Sequence, residues 1–225
     1  MTADEHEDAY RTWRASLRTL VADAEQLARW QERRFRFAHE LGRLLADPYG
    51  GAPAMSGPVL YGVFLSGAGL CYVGQTRDAQ RRLRDLAVGE SHHLANTVPP
   101  ELWERVVVVR WPDLLASLPA RERETVAALG DEVCGLALEH LLHVTFAPPL
   151  NSRRRHRDGV WRPRNHADSR SRGAVHASDL AELWQVVQAA WHSLAACPVP
   201  AGGESVISTA VGRAVFPGMP GPLPV

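Results

Sequence analysis

Four side chains suited to polar chemistry stand out in this chain, namely a tyrosine, an arginine, a glutamate and an asparagine. They are Tyr72, Arg82, Glu139 and Asn151. A helix is predicted from Asp131 to Val144, and Glu139 falls off the apolar stripe of that helix, so core packing does not explain its carboxylate. A carboxylate oxygen is a ligand that suits Mg²⁺ or Mn²⁺.

A predicted β-hairpin and the helix after it position the tyrosine and the arginine. Val59 to Leu65 and Leu70 to Val73 are rich in β-branched and aromatic residues, and a short connection with two glycines separates them. A helix is predicted to follow, with Thr76 or Asp78 as its N-cap. Arg82 on this helix can then face the hairpin.

The order and spacing of these residues resemble the GIY-YIG nuclease domain. The resemblance rests on Gly62-Val63-Phe64, Tyr72-Val73-Gly74-Gln75-Thr76, Arg82, Leu138-Glu139 and Pro148-Pro149-Leu150-Asn151. It covers about residues 58–155. It implies an α/β (α+β) fold in which flanking helices accompany a small mixed sheet, here with helical extensions at both ends.

The resemblance also implies site residues and a cofactor. In that family a glutamate on a helix binds one divalent metal ion, and an arginine and a tyrosine surround the scissile phosphate. These roles are carried over to Glu139, Arg82 and Tyr72. The implied cofactor is Mg²⁺ or Mn²⁺, and the implied reaction is phosphodiester hydrolysis in DNA. Asn151 is expected to fix the loop after the metal-binding helix.

Three departures from the family pattern bear on activity. Phe64 stands where the family usually has a tyrosine, and Tyr61 is expected on the opposite face of the strand, so the site is predicted to lack one hydroxyl. Phe64 is therefore expected to border the site. The gap between the motif strands is shorter than usual. Leu86 stands where relatives often carry histidine or tyrosine, and His92 or His93 is the candidate general base.

Composition excludes several other classes of protein. The 225 residues carry 25 basic and 25 acidic side chains, so the formal net charge is zero and does not indicate a partner of either charge. Cys71, Cys134 and Cys197 lack the paired spacing of a disulfide framework or a zinc knuckle. No apolar run is long enough to span a bilayer, and the acidic N-terminus is unlike a secretory signal. We therefore expect a cytoplasmic protein without a membrane partner.

Residues 1–50 are predicted to form a helical N-terminal extension. Apolar residues recur there at steps of three and four between Trp13 and Leu45, and a breaker cluster from Asp47 to Gly51 follows. One long helix and two packed helices both fit this pattern. The apolar stripe either packs on the neighbouring domain or joins two copies as a homodimer.

Beyond Asn151 the sequence becomes basic and poorly periodic. Residues 153–172 contain eight arginines, and such side chains provide affinity for phosphates. The residues expected to contact DNA are Arg153, Arg154, Arg155, Arg157 and Trp161. The alternative is a solvated connector. Within residues 156–197 a helix is predicted from Ser178, its N-cap, to Ala196, and residues 198–225 are expected to be a disordered tail.

The sequence therefore predicts a metal-dependent DNA endonuclease. One alternative is a catalytically weakened nucleic-acid-binding module that keeps the GIY-YIG fold. Another is an interaction protein that binds through its helical extensions. The nuclease hypothesis requires that Tyr72, Arg82 and Glu139 converge on one accessible pocket.

Overall fold

The structure is a computed structural model that describes residues 2–89, 94–155, 157–166, 168–200 and 205–217, with the backbone alone for residues 3, 154, 155 and 161. In chain order, its helices and strands are α1 (Ala3–Leu20), α2 (Ala24–Ala46), β1 (Val59–Leu65), β2 (Gly69–Thr76), α3 (Ala79–Leu86), α4 (Leu94–Thr97), β3 (Trp103–Val109), α5 (Ala120–Phe146), β4 (Arg153–Arg155), β5 (Trp161–Pro163), α6 (Arg172–His176), α7 (Ala181–Ala195), β6 (Val206–Thr209) and β7 (Gly212–Val215). Within the described ranges, no helix combines the length and the apolar character needed to cross a membrane.

The chain divides into two compact units, Met1–Glu40 and Leu41–Val225. The first unit contains two helices, whereas its apolar pattern was compatible with either one long helix or two. Thr2 begins α1 with a capping box, and the side chain of Asp23 accepts a hydrogen bond of 2.8 Å from the backbone of the first turn of α2. The predicted breaker cluster ends α2 at Ala46, but the division between the units lies inside this helix.

The second unit is built on a five-stranded antiparallel sheet with the strand order β2-β1-β3-β7-β6. The predicted α/β (α+β) class with flanking helices is confirmed, but the described strands form an antiparallel sheet instead of the expected mixed one. The predicted hairpin is also confirmed, since β1 and β2 pair from Val59 with Thr76 to Leu65 with Gly69. β2 is an edge strand, and its open side is therefore free of another strand of this sheet.

Alternate residues of β1 face opposite sides of the sheet, and each side is covered by helices. On one side Gly62 makes room for α7, because an added Cβ would lie 2.5 Å from Cη2 of Trp191. α5 packs on the same side. On the other side lie α3 and the C-terminal end of α2, which approach closely where a Cβ on Gly42 would lie 2.6 Å from the carbonyl oxygen of Arg84.

Two expectations about the C-terminal region are wrong. Residues 205–217 are ordered instead of belonging to a disordered tail, because Val206 to Phe216 supplies β-branched residues on both sides of a turn and pairs with β3. Proline and glycine nearby concealed this signal. Ser178 is not the N-cap of the last helix, since a 3₁₀ turn precedes α7 and the side chain of Glu122 accepts the hydrogen bond of 3.1 Å from the first-turn N–H of Leu183.

Arg213 on β7 is fully buried and joins the sheet to the end of α2. Its guanidinium donates hydrogen bonds to the carbonyl oxygens of Leu44 at 2.6 Å, Asp47 at 2.9 Å and Pro53 at 3.3 Å. These bonds satisfy carbonyls that the helix end leaves without partners.

Replacement of Arg213 by methionine should lower the free energy of unfolding by about 2–4 kcal/mol, because the change leaves buried carbonyl oxygens without donors. Chemical denaturation measures this loss. The matched control is Arg123→Met, which removes an exposed arginine from the first turns of α5. Equal stabilities for the two variants would contradict the role given to Arg213.

Candidate active site

Two tyrosines from the β-hairpin form the centre of the site. Val63 pairs with Tyr72, which places Tyr61 diagonally across from Tyr72 on the same face, and their ring centroids lie 6.2 Å apart. Their side chains also hydrogen-bond each other. Gly74 lies opposite Tyr61 and leaves room for its ring, since a Cβ at that position would be 2.6 Å from the Tyr61 hydroxyl.

α3 supplies the cation of the site. Its N-cap is Asp78, one of the two predicted candidates, and the Asp78 side chain accepts a hydrogen bond of 3.2 Å from the backbone of Arg81. Leu83 and Leu86 anchor the helix in the core. Arg82 is half-buried, hydrogen-bonds the side chain of Tyr61 and interacts electrostatically with the carboxylate described next.

α5 brings Glu139 to the edge strand. The helix is kinked at Gly130, where φ is 75°, and the helix predicted from Asp131 begins directly after this kink. Gly135 lets the helix approach β2, because a Cβ there would lie 2.9 Å from the side-chain oxygen of Gln75. The backbone N–H of Gln75 donates a hydrogen bond to Glu139, so this carboxylate is held beside the end of β2.

Asn151 ties the loop after α5 to the same strand. Its side chain accepts a hydrogen bond of 2.8 Å from the backbone N–H of Val73 and donates one of 3.0 Å to the carbonyl of Val73. The N–H of Leu150 donates to the carbonyl of Cys71 at 3.0 Å. The asparagine therefore extends the hydrogen bonding of β2 and has a positioning role.

Burial dominates the electrostatics of the site. It raises the pKa of Tyr61 and that of Tyr72, and the hydrogen bond between them lowers the former and raises the latter. Burial also raises the pKa of Glu139 to about 7, although the Gln75 N–H, Arg82 and Arg164 act in the opposite direction. A carboxyl group that holds its proton near neutral pH is a mark of functional sites.

Several residues near the site were missed by sequence reasoning. Arg164 lies in the chain after β5, where its backbone N–H donates to the carbonyl of Ser152 at 2.7 Å, and its charge acts on Glu139. The ring centroids of His143 and His166 lie 4.9 Å apart with the rings tilted, and burial first, then the neighbouring imidazole, lowers the pKa of His143 to about 4. No periodic signal marks residues 164 and 166, because they lie in irregular chain.

The structure brings Tyr72, Arg82 and Glu139 together, and each of them is half-buried and thus partly open to solvent. A separate open cavity of about 360 Å³, between the beginnings of α5 and α7, contains none of the three. His92 and His93 lie outside the described residues. Leu86 is fully buried in the core and brings no polar group to the site.

The expectation that Phe64 borders the site is wrong, because the hydroxyl from β1 comes from Tyr61. The two residues do face opposite sides of the sheet, as predicted, but Phe64 is the one turned away. Its ring lies 6.5 Å from that of Trp191, and the guanidinium of Arg105 covers it at 5.9 Å. The motif predicted from the sequence begins at Gly62 and ends at Phe64. Pairing in the hairpin, which places Tyr61 opposite Gly74, identifies Tyr61 as the site residue instead.

The basic segment is more regular than its composition suggests. β4 and β5 form a two-stranded antiparallel sheet in which Arg155 pairs with Trp161, although the side chains of Arg154, Arg155 and Trp161 lie outside the described part. Arg153 and Arg157 are exposed. The expected irregular stretch is therefore a short ribbon, because strands this short leave little periodicity to detect.

The donor set around Glu139 fits a hard divalent cation. Within the described ranges, no group of three or more His, Cys, Asp or Glu side chains is arranged to hold a metal ion. A site built on one carboxylate is compatible with Mg²⁺, which keeps several waters and takes further oxygen ligands from substrate phosphates. The raised pKa of Glu139 shows that its surroundings do not fully compensate a negative charge, as a cation would.

No protein-family model, curated protein or solved structure matches the chain.

Proposed function

We propose that the second unit is a GIY-YIG-type endonuclease that hydrolyses phosphodiester bonds in DNA with the help of Mg²⁺ or Mn²⁺. The observation that carries this proposal is the meeting of Tyr61, Tyr72, Arg82 and Glu139, which come from two strands and two helices. A hydroxyl pair, a guanidinium and an incompletely compensated carboxylate are the groups that such a reaction uses.

Glu139 and Arg82 are placed to act on the reacting phosphate. Glu139 would hold the divalent cation, which would supply Lewis-acid stabilisation of the charge that develops in the reaction. Arg82 neutralises the charge that develops on the phosphate, because its guanidinium interacts with both Tyr61 and the Glu139 carboxylate. Arg164 adds a second positive charge on the side of Glu139.

Tyr61 orients the attacking water through its hydroxyl, and Tyr72 positions Tyr61. Three interactions lower the pKa of Tyr61, namely the charge of Arg82 and the hydrogen bonds with Tyr72 and Arg82, but burial outweighs them and the pKa is raised. Burial is also the main cause that raises the pKa of Tyr72, so both hydroxyls keep their protons at neutral pH. Because Phe64 lies on the opposite face, its lack of a hydroxyl does not argue against activity.

The β4–β5 ribbon provides contacts to DNA beside the site. Its exposed residues Arg153 and Arg157 follow the loop that Asn151 fixes to β2, so the chain leads directly from the site to the ribbon. Arginines on such a surface bind phosphates and contribute affinity that falls with salt. Duplex DNA suits this arrangement because a two-stranded ribbon fits the major groove.

Replacement of Arg153, Arg154 and Arg155 by alanine should weaken DNA binding and flatten its dependence on salt. Each lost phosphate contact lowers the slope of log affinity against log salt by about one unit. Fluorescence anisotropy across a salt series, on two unrelated duplexes, measures the slope, with Arg123→Ala as the control on α5. An unchanged slope would place the DNA path elsewhere, and a loss on one duplex alone would indicate base recognition by the ribbon.

A catalytically weakened nucleic-acid-binding module is the second candidate, and the basic ribbon favours it as much as it favours the nuclease. Binding and cleavage of one supercoiled plasmid by the natural chain and Glu139→Ala separate the two. The proposed function predicts that both proteins bind DNA and that the natural chain alone nicks it when Mg²⁺ or Mn²⁺ is present. Binding without nicking by the natural chain would favour the weakened module.

A further inference from the structure

α1 exposes a stripe of large apolar side chains. Tyr10, Trp13 and Leu20 leave 48%, 54% and 40% of their surfaces accessible, and the rings of Tyr10 and Trp13 lie 5.5 Å apart. Aromatic side chains exposed in a contiguous patch are typical of interaction surfaces. An isolated helix of this length is also only marginally stable in water, so a partner along the stripe would stabilise it.

The spacing of the stripe is that of a coiled-coil seam. Its positions recur at alternating steps of four and three and are occupied by His6, Tyr10, Trp13, Leu17 and Leu20. A strict alternation of this kind keeps one narrow face of a helix against a partner helix. The core-facing helix of a globular domain usually has a wider apolar face.

The charges of α1 are divided between its two halves, and this division identifies the partner. The N-terminal half carries the acidic residues Asp4, Glu5, Glu7 and Asp8, and the C-terminal half carries the basic residues Arg11, Arg14 and Arg18. A second copy of α1 in antiparallel orientation would place acidic against basic at both ends. A parallel copy would oppose like charges along the whole helix.

We propose that α1 binds α1 of a second copy of this chain as an antiparallel coiled coil, independently of the proposed nuclease activity. The symmetric alignment centres between Arg11 and Thr12, so that Tyr10 of one copy packs on Trp13 of the other and His6 packs on Leu17. Glu7 flanks the seam next to His6, and Arg14 of the opposite copy lies at the matching flanking position. Interhelical ion pairs at such flanking positions determine orientation.

Sedimentation equilibrium of the full chain tests the pairing. The natural chain should have twice the mass of one chain at micromolar concentration, and Trp13→Glu should raise the dimer dissociation constant by about 100-fold, because buried aromatic side chains dominate small interfaces. The matched control is Ala15→Glu, which introduces the same charge on the opposite face of α1. A monomeric natural chain, or a dimer that Trp13→Glu leaves intact, would overturn the proposal.

A charge exchange tests the orientation without altering the apolar seam. Glu7→Arg should weaken the dimer, since it places two basic residues side by side, and the double change of Glu7→Arg with Arg14→Glu should restore it. Circular dichroism checks that each variant remains helical. Failure of the double variant to recover the dimer would overturn the antiparallel arrangement.

Discussion

Glu139→Gln is expected to abolish metal-dependent cleavage and, above pH 7, to stabilise the folded protein by about 1–3 kcal/mol. Cleavage should fall by about 10³-fold or more, because the change removes the charged ligand of the cation. Stability should rise because the amide avoids the cost of ionising a group whose pKa is raised to about 7. A substitution that improves stability while it removes activity is typical of a functional site.

The sign of the stability effect follows from the proton bound to Glu139. Between the ordinary pKa of 4.5 and the folded value of about 7, the unfolded chain ionises this carboxyl group while the folded chain keeps its proton. The natural protein therefore loses stability from this group as the pH rises through that window, and the loss is complete above it. Glutamine does not titrate, so the advantage of the variant should vanish near pH 4.5.

Urea denaturation of the natural chain and Glu139→Gln at pH 5 and pH 8 measures this difference. Glu124→Gln is the matched control, since it removes an exposed carboxylate from α5. Its stability should show no pH-dependent gain over that of the natural chain. Added Mg²⁺ should stabilise the natural chain at pH 8 more than the Glu139→Gln variant. If Glu139→Gln is less stable than the natural chain at pH 8, then neighbouring charges stabilise the ionised carboxylate of Glu139 and burial does not raise its pKa.

Tyr61→Phe is expected to lower the cleavage rate by about 10²–10³-fold, the usual effect of removing one group that acts on the transition state. Its ring remains in the space beside Gly74, so the fold and the affinity for DNA should be about unchanged. Single-turnover cleavage and anisotropy on the same duplex measure the two effects. Equal loss of binding and cleavage would mean that Tyr61 supports the fold instead of the reaction.

Phe64→Tyr is the informative partner of that variant. It introduces a hydroxyl at the position where the sequence alone suggested that one was missing, but this side chain lies against Trp191 and Arg105 on the far side of the sheet. It should therefore not raise the cleavage rate. A higher cleavage rate would indicate that the active site lies on the face of the sheet that Phe64 occupies.

The sequence predicted the hairpin, Thr76 or Asp78 as the N-cap of the next helix, and a helix that begins at Asp131, because these depend on local residue types. It failed to predict features of the fold that depend on pairing between distant segments of the chain. The placement of β7 beside β3 joins residues about 100 positions apart, and nothing local reveals it. The choice between Tyr61 and Phe64 likewise depends on which face of β1 meets α3, a question of tertiary packing.

The arginine-rich segment shows a further limit of composition. Its charges suggested an irregular connector, whereas Arg153–Arg155 and Trp161–Pro163 form a paired ribbon. The charge of Arg164 acts on Glu139, and the backbone N–H of Arg164 donates a hydrogen bond to the carbonyl of Ser152. Such contacts depend on the path of the chain and leave no signal in residue spacing.

The initial rate of nicking of supercoiled plasmid in Mg²⁺, compared for the natural chain, Glu139→Gln and Glu124→Gln at equal concentration, tests whether Glu139 acts in the reaction. The natural chain and Glu124→Gln should nick the plasmid at similar rates, a chelator should stop both, and Glu139→Gln should be inactive. Equal nicking by the natural chain and Glu139→Gln would contradict the assignment of Glu139 to the reaction.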